Sequence, residues 1–229
     1  MTDFQKQQEL EQVWFELQRV RAVSRCQSVM SKYVFRLATG DLTGCADLWA
    51  KRDDSRVEMS WGVYDGYEGV RACYDKCHVE NLGDMIGILP VHSLTTPVIE
   101  VAADGKTARG VWISPGFESH PDEATGKAGC NWAWMKYGVD FICEDGEWRL
   151  WHMTTYGLFM TDYYKSWGDT AAEGRERNAL ALLDELSDEA QPSRLPYHKD
   201  WNYAVDRAPD PEPVPPEKYR TWDEIGYGY

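Results

Sequence analysis

Several signatures are missing from this chain, and each absence removes a class of function. Neither GxGxxG nor GxxxxGK followed by Ser or Thr occurs, so the glycine-rich loops that cradle nucleotide phosphates are not there. There is no CxxC pair. The six cysteines (Cys26, Cys45, Cys73, Cys77, Cys130, Cys143) are scattered, which suits buried free thiols in a cytoplasmic protein better than a disulfide framework. Cys73, Cys77 and His78 cluster, but no second ligand pair stands at zinc-site spacing, so no metal is expected. No apolar run approaches the ~18 residues of a membrane span, and the opening MTDFQKQQELEQ is too polar and acidic for a secretory signal. Basic residues are few: 24 Lys and Arg stand against 38 Asp and Glu, a net charge of -14. That balance argues against nucleic acid and anionic membranes as partners.

Aromatic residues, by contrast, are abundant, with 11 Trp and 13 Tyr in 229 residues. Rings with polar handles suit places that are part apolar and part wet, such as ligand cavities. From Leu10 to Leu37 apolar residues recur at three- and four-residue steps, which reads as one long helix or two joined ones with a single buried side. Thr39-Gly40-Asp41 breaks it, and Asp41 can cap a second helix carrying Leu42, Cys45, Leu48 and Trp49. A third helix is expected from Glu68 to Cys77. Strand patterns cover Val57–Trp61, Ser93–Ala102, Thr107–Phe117, Asn131–Cys143 and Glu147–Phe159, and Asp-Gly turns stand at 104–105 and 145–146. This order predicts an α+β fold: a strongly curved, mixed or antiparallel sheet packed by N-terminal helices around a cone-shaped hollow. The body spans residues 10–160.

Residues 161–229 form a C-terminal extension. Thr170 and Glu173 read as a capping box opening a helix over about 170–187. Beyond it lie seven of the 11 prolines together with Tyr197, Trp201, Tyr203, Tyr219, Trp222, Tyr227 and Tyr229. Proline excludes regular helix, while so many aromatics are foreign to a disordered tail. An extended arm, laid on the body or on a neighbouring subunit, is the expectation.

Candidate chemistry lies among the histidines and tyrosines of the sheet and first helix. His92 stands just before a strand. His152 and Tyr156 share one face of the last strand, since side chains alternate with period two. Lys136 and Asp140 share a face of the preceding strand, a pattern more often solvated than functional. Tyr33 lies on the apolar stripe of the first helix and should point into the hollow. Histidine transfers protons near neutrality, so His92, His152, Tyr33 and Tyr156 are the candidate acid–base set. Trp61, Trp112, Trp132 and Trp134 are candidates for holding a substrate ring.

The strings KYVFRLATGDLTGCADLWA, GVYDGYEGVRACY, VHSLTTPVIEVAADGKTARG and DGEWRLWHM, in this order and spacing, resemble the SnoaL-like group of the nuclear-transport-factor-two-like superfamily. The likeness covers roughly residues 12–159. It implies a cone whose interior is the site, and relatives that include polyketide cyclases, scytalone dehydratase, a dehydrochlorinase, steroid isomerase relatives and lyases of lignin-derived diaryl compounds. It also implies a homodimer or homotrimer. VHSLTT matches the family's histidine position, which makes His92 the general base or acid. The family's paired aspartate is replaced here by Ala38, so an orienting carboxylate must come from elsewhere, with Asp140, Glu58 and Asp47 as candidates. The expected function is a cofactor-independent lyase on a small aromatic, phenolic substrate, releasing water or formaldehyde. The alternatives are an isomerase or cyclase using the same proton shuttle, and a non-catalytic binding or assembly subunit.

Overall fold

A computed structural model describes residues 2–122, 126–172, 183–197 and 203–229. Helix α1, Asp3–Ala38, is continuous, and Thr2 and Gln5 close a capping box at its start. Its buried residues are Ala22, Cys26, Val29, Met30, Tyr33 and Leu37. Residues 2–18 are exposed throughout. The expected single buried side from Leu10 to Leu37 is therefore corrected: burial begins at Ala22. At ~100° per residue, Leu10, Val13, Leu17 and Val20 project from the side of the helix roughly opposite the buried stripe.

The helix ends at Thr39, and Gly40 takes a φ of 73°, a conformation open to glycine at no steric cost. Asp41 then caps α2, Leu42–Ala46, accepting a hydrogen bond from the Gly44 amide at 3.0 Å. The third helical region is less regular than its sequence pattern suggests. It comprises α3, Gly66–Ala72, a π-helical turn, Cys73–His78, and α4, Val79–Leu82.

Among the described residues the sheet has seven strands: β1 Arg56–Met59, β2 Gly62–Asp65, β3 Leu89–His92, β4 Thr95–Val101, β5 Thr107–Asp122, β6 Lys127–Glu144 and β7 Glu147–Asp162. Their order is β2-β1-β7-β6-β5-β3, and β4 also pairs with β5. Only β1 and β7 run parallel among these pairs. Asp145 and Gly146, with φ of 51° and 79°, make the tight turn between β6 and β7 that matches the twist of the paired strands. Two expectations are refined here. The strand read as Val57–Trp61 is β1, which ends at Met59 and pairs with a further strand, β2, and His92, which precedes β4 as expected, is also the last residue of a short strand, β3.

Register assigns the faces, because directly paired residues project to the same side. On β6 and β5, Tyr137 pairs with Trp112, Met135 with Ser114, Ala133 with Gly116, and Asn131 with Glu118. This is the inner face: Tyr33 of α1 meets Tyr137 edge-on, with ring centroids 6.4 Å apart. The hydrophobic core lies between this face and the helices, around Met30, Tyr33, Trp49, Tyr74, Tyr137 and Phe141. Lys136, Gly138 and Asp140 belong to the outer face, where they pair with Tyr156, Thr154 and His152.

The C-terminal segment runs over that outer face. Val63 donates to the Arg194 carbonyl, Ala103 to that of Tyr219, and the Tyr229 amide to Asp140 at 2.8 Å. The Tyr229 ring rests on Gly138, where a Cβ would sit 2.7 Å from it. Of the expected helix over 170–187, residues 170–172 belong to α5, Trp167–Ala172, whereas the described residues 183–187 form a tight turn and not α-helix. Residues 173–182, with Glu173 of the capping box and Leu180, lie outside the described residues, as do His198 and Trp201.

Candidate active site on the inner face of the sheet

The expected site residues divide between the two faces. His92 is on the inner side, buried, with Nε2 3.1 Å from Oε1 of Glu118. The pairing of β3 with β5 brings them together: Pro90 lies opposite Glu118 and His92 opposite Gly116. His120, two residues on from Glu118, places Nε2 3.7 Å from the other carboxylate oxygen. Gly116 is the floor under the His92 ring, since a Cβ there would stand 2.5 Å from Nδ1. Nδ1 is buried and has no hydrogen-bond partner among the described residues. With Nε2–H donated to the carboxylate, Nδ1 keeps a lone pair, the arrangement a general base requires.

Of the three candidate carboxylates, none is the one on His92. Asp140 and Glu58 are on the outer face, and Asp47 pairs with Arg71 at 3.3 Å. The carboxylate beside His92 is that of Glu118, on β5. Its signal was present: Glu118, Ser119 and His120 continue the alternation of β5. The polar run Glu-Ser-His-Pro-Asp reads as a loop, however, and so the sequence pattern ends the strand at Phe117.

Tyr33 is fully buried, and its hydroxyl accepts a hydrogen bond from Tyr74 at 3.2 Å. Burial holds the pKa of both phenols well above the usual range, so both stay protonated. Burial also raises that of Tyr137, and the charge of Glu118 adds to the effect. Behind these rings lies His78, stacked on Tyr74 with centroids 5.1 Å apart and met edge-on by Trp61. Its Nδ1 is 2.7 Å from the Cys73 carbonyl, a contact made possible by the π-helical turn. Burial lowers the His78 pKa, so this ring is neutral near pH 7. Trp49 is wholly buried, and its indole N–H has no partner among the described residues. Trp112 is inner and buried, edge-on to Phe141.

His152, Tyr156, Asp140 and Lys136 do not join this group. His152 Nδ1 lies 3.0 Å from Oδ2 of Asp140, and its Nε2 lies 3.0 Å from the Asp54 carbonyl. Arg109 donates to the other Asp140 oxygen at 3.1 Å, while its guanidinium faces the Tyr229 ring at 4.1 Å. Trp151 and Trp222 enclose the His152 ring. Lys136 donates to the Asp210 and Glu212 carbonyls of the arm, and burial lowers its pKa. Glu58 accepts from the Tyr197 amide. Trp132 and Trp134 are outer as well, stacked on Tyr163 and Phe159. The expectation that two histidines and two tyrosines share one hollow is thus replaced by two separate polar groups. One lies under the helices; the other lies under the arm.

Among the described residues, no group of three or more His, Cys, Asp and Glu side chains is placed to hold a metal ion. No helix among them is long and apolar enough to cross a membrane.

Comparisons with known proteins agree with this architecture. No curated protein matches the chain at a significant level of sequence similarity. Among solved structures, a hexachlorocyclohexane dehydrochlorinase, LinA-type3, from Novosphingobium barchaimii superposes with a TM-score of 0.50 at 17% identity. That match covers 66% of this chain and 96% of the other. LinA itself superposes at 0.51 and 16%, over the same shares of the two chains. A protein named as a candidate scytalone dehydratase from Novosphingobium aromaticivorans gives 0.50 and 15%, covering 64% of this chain and 91% of the other. Such identities establish a shared fold. The family model described as "SnoaL-like domain" matches residues 18–154, from the body-facing half of α1 to the middle of β7. On that match over more than half its length, the chain belongs to the family of SnoaL-like domains.

Proposed function

We propose that the protein is a cofactor-independent lyase acting on a small aromatic, phenolic substrate, with His92 as general base. The observation that carries this reading is the His92–Glu118 pair: one ring nitrogen is held 3.1 Å from a carboxylate and the other is buried without a partner among the described residues. A carboxylate on one nitrogen fixes the ring and its tautomer and stabilises the imidazolium that forms when the other takes a proton. Tyr33 supplies the acid. Tyr74 donates to its oxygen, which leaves the Tyr33 proton free to go to a departing group.

In a dehydration, His92 takes the proton from the carbon next to the one bearing the hydroxyl. The C–H electron pair becomes the new double bond, and the C–O bond breaks. Tyr33 protonates the departing oxygen, so water leaves. In the retro-aldol variant His92 takes a hydroxyl proton, and the O–H pair forms the carbonyl of formaldehyde. The C–C bond breaks, and Tyr33 protonates its electron pair on the ring-bearing fragment. Either route ends with His92 giving up the proton it took and Tyr33 regaining one. Trp112, on the same face of the sheet, is the candidate to hold the substrate ring.

The test is a panel of one- and two-ring phenols carrying a hydroxyl or hydroxymethyl group β to an acidic C–H. Formaldehyde is read colorimetrically, and dehydration by the absorbance of the conjugated product. The wild type should turn over at least one member, and His92→Ala should lower turnover at least about 100-fold with its fold intact. Equal turnover in the variant overturns the assignment. Conversion with no fragment released identifies an isomerase instead.

A further inference from the structure

Helix α1 carries two apolar stripes on opposite sides, and the body uses only one. The body stripe begins at Ala22 and runs to Leu37. The other comprises Leu10, Val13, Leu17 and Val20, which are 68%, 64%, 44% and 66% exposed, and is flanked by Trp14 at 59%. Its spacing of three, four and three residues is that of a coiled-coil seam. It cannot be a frayed continuation of the core, because the same rigid helix turns it to the far side. The face continues past Val20 through the exposed Ser24, Ser28 and Ser31, small residues that permit close approach, to Phe35, which is 74% exposed.

We propose that two copies of this chain pair through α1, the helices side by side and parallel. The seam is self-complementary, as a two-fold interface requires. With Leu10 and Leu17 at a and Val13 and Val20 at d, Glu9 and Glu16 stand at g and Trp14 and Arg21 at e. In a parallel pair the g position of one helix reaches e of the next heptad in the other, so Glu16 meets Arg21 of the second copy. An antiparallel pair would set Glu9 against Glu16. The face runs from Leu10 to Phe35, about seven turns of helix. The bodies lie on the far side of each helix and so flank the pair without colliding.

The full-length protein is examined by light scattering during size exclusion and by sedimentation equilibrium. The wild type should have the mass of two 26.3 kDa chains. Leu10→Glu with Leu17→Glu changes only exposed positions, so the folded body is kept, with an unchanged near-UV spectrum. It should raise the dissociation constant at least about 100-fold, the effect of placing like charges in an apolar seam. Glu16→Arg alone should weaken pairing, and Glu16→Arg combined with Arg21→Glu should restore it. A wild-type mass of one chain overturns the proposal, as does an undiminished dimer in the double-Glu variant. If the charge swap weakens pairing and the second swap fails to restore it, the parallel register is wrong.

Discussion

His92 and Glu118 face one another across the β3–β5 pairing, Nε2 to Oε1 at 3.1 Å, with both side chains on the face that the helices cover. The carboxylate comes from the sheet, where Ala38 of the first helix offers none. Glu118→Gln keeps the shape and removes the charge that steadies the imidazolium. Turnover should fall at least about tenfold with little change in KM, because the group acts on His92 rather than on the substrate. Glu118→Asp should recover part of the loss. Steady-state kinetics of the three proteins decide it; a rise in KM at constant kcat would place Glu118 in binding instead.

Gly116 has no side chain where His92 needs room. A Cβ would meet Nδ1 at 2.5 Å, the Ala133 carbonyl at 2.7 Å and the Val91 carbonyl at 2.9 Å. Two of those neighbours are backbone, so the ring must give way. Gly116→Ala should cost about 1–3 kcal/mol in urea unfolding and reduce turnover by displacing His92. A fully active Gly116→Ala enzyme would show that His92 is free to move, and would count against its role as a positioned base.

The long strands were legible because their apolar alternation and Asp-Gly turns act locally: β6 and β7 begin and end within a few residues of their patterns. His92 was legible through the family string around it. Its partner was not, for two physical reasons. Strand β3 contains Pro90, which lacks an amide proton and argues against a strand. Glu118 and His120 make the end of β5 look like solvated loop. Nor could alternation alone say which face of β7 His152 occupies, because the aromatic arm supplies the outer face with a second buried environment. The opposed stripes of α1 show the same limit: periodicity locates an apolar side without saying what covers it.

His78 makes stability depend on pH with a definite sign. Burial lowers its pKa in the folded state below the usual value near 6.5, so the unfolded chain binds the proton more readily. This contribution is fully present above pH ~6.5 and is lost as pH falls from there toward the folded-state pKa. Between pH 7.5 and 5 the wild type should lose stability more steeply than His78→Phe. That variant keeps a ring between Tyr74 and Trp61 while forgoing the contact with the Cys73 carbonyl. Melting temperatures at four pH values suffice, and parallel slopes would show that His78 takes no part.

Asp140 is one of three acids that the sequence offers to orient His92, and its surroundings point to another task. It is wholly buried and accepts from Arg109 and from the Tyr229 amide, with His152 Nδ1 3.0 Å away. It thus ties the arm to the sheet and compensates a buried guanidinium. Asp140→Asn leaves Arg109 without its counter-charge, and breaking such a pair costs about 3–5 kcal/mol. Replacing both partners, with Arg109→Met and Asp140→Leu, should cost less than Asp140→Asn alone, because no charge is then stranded. Urea unfolding of the variants measures the difference. Turnover per folded molecule should match the wild type, since the acid faces away from His92. A 100-fold loss of turnover at unchanged stability would instead bring the outer face into the chemistry, and with it His152.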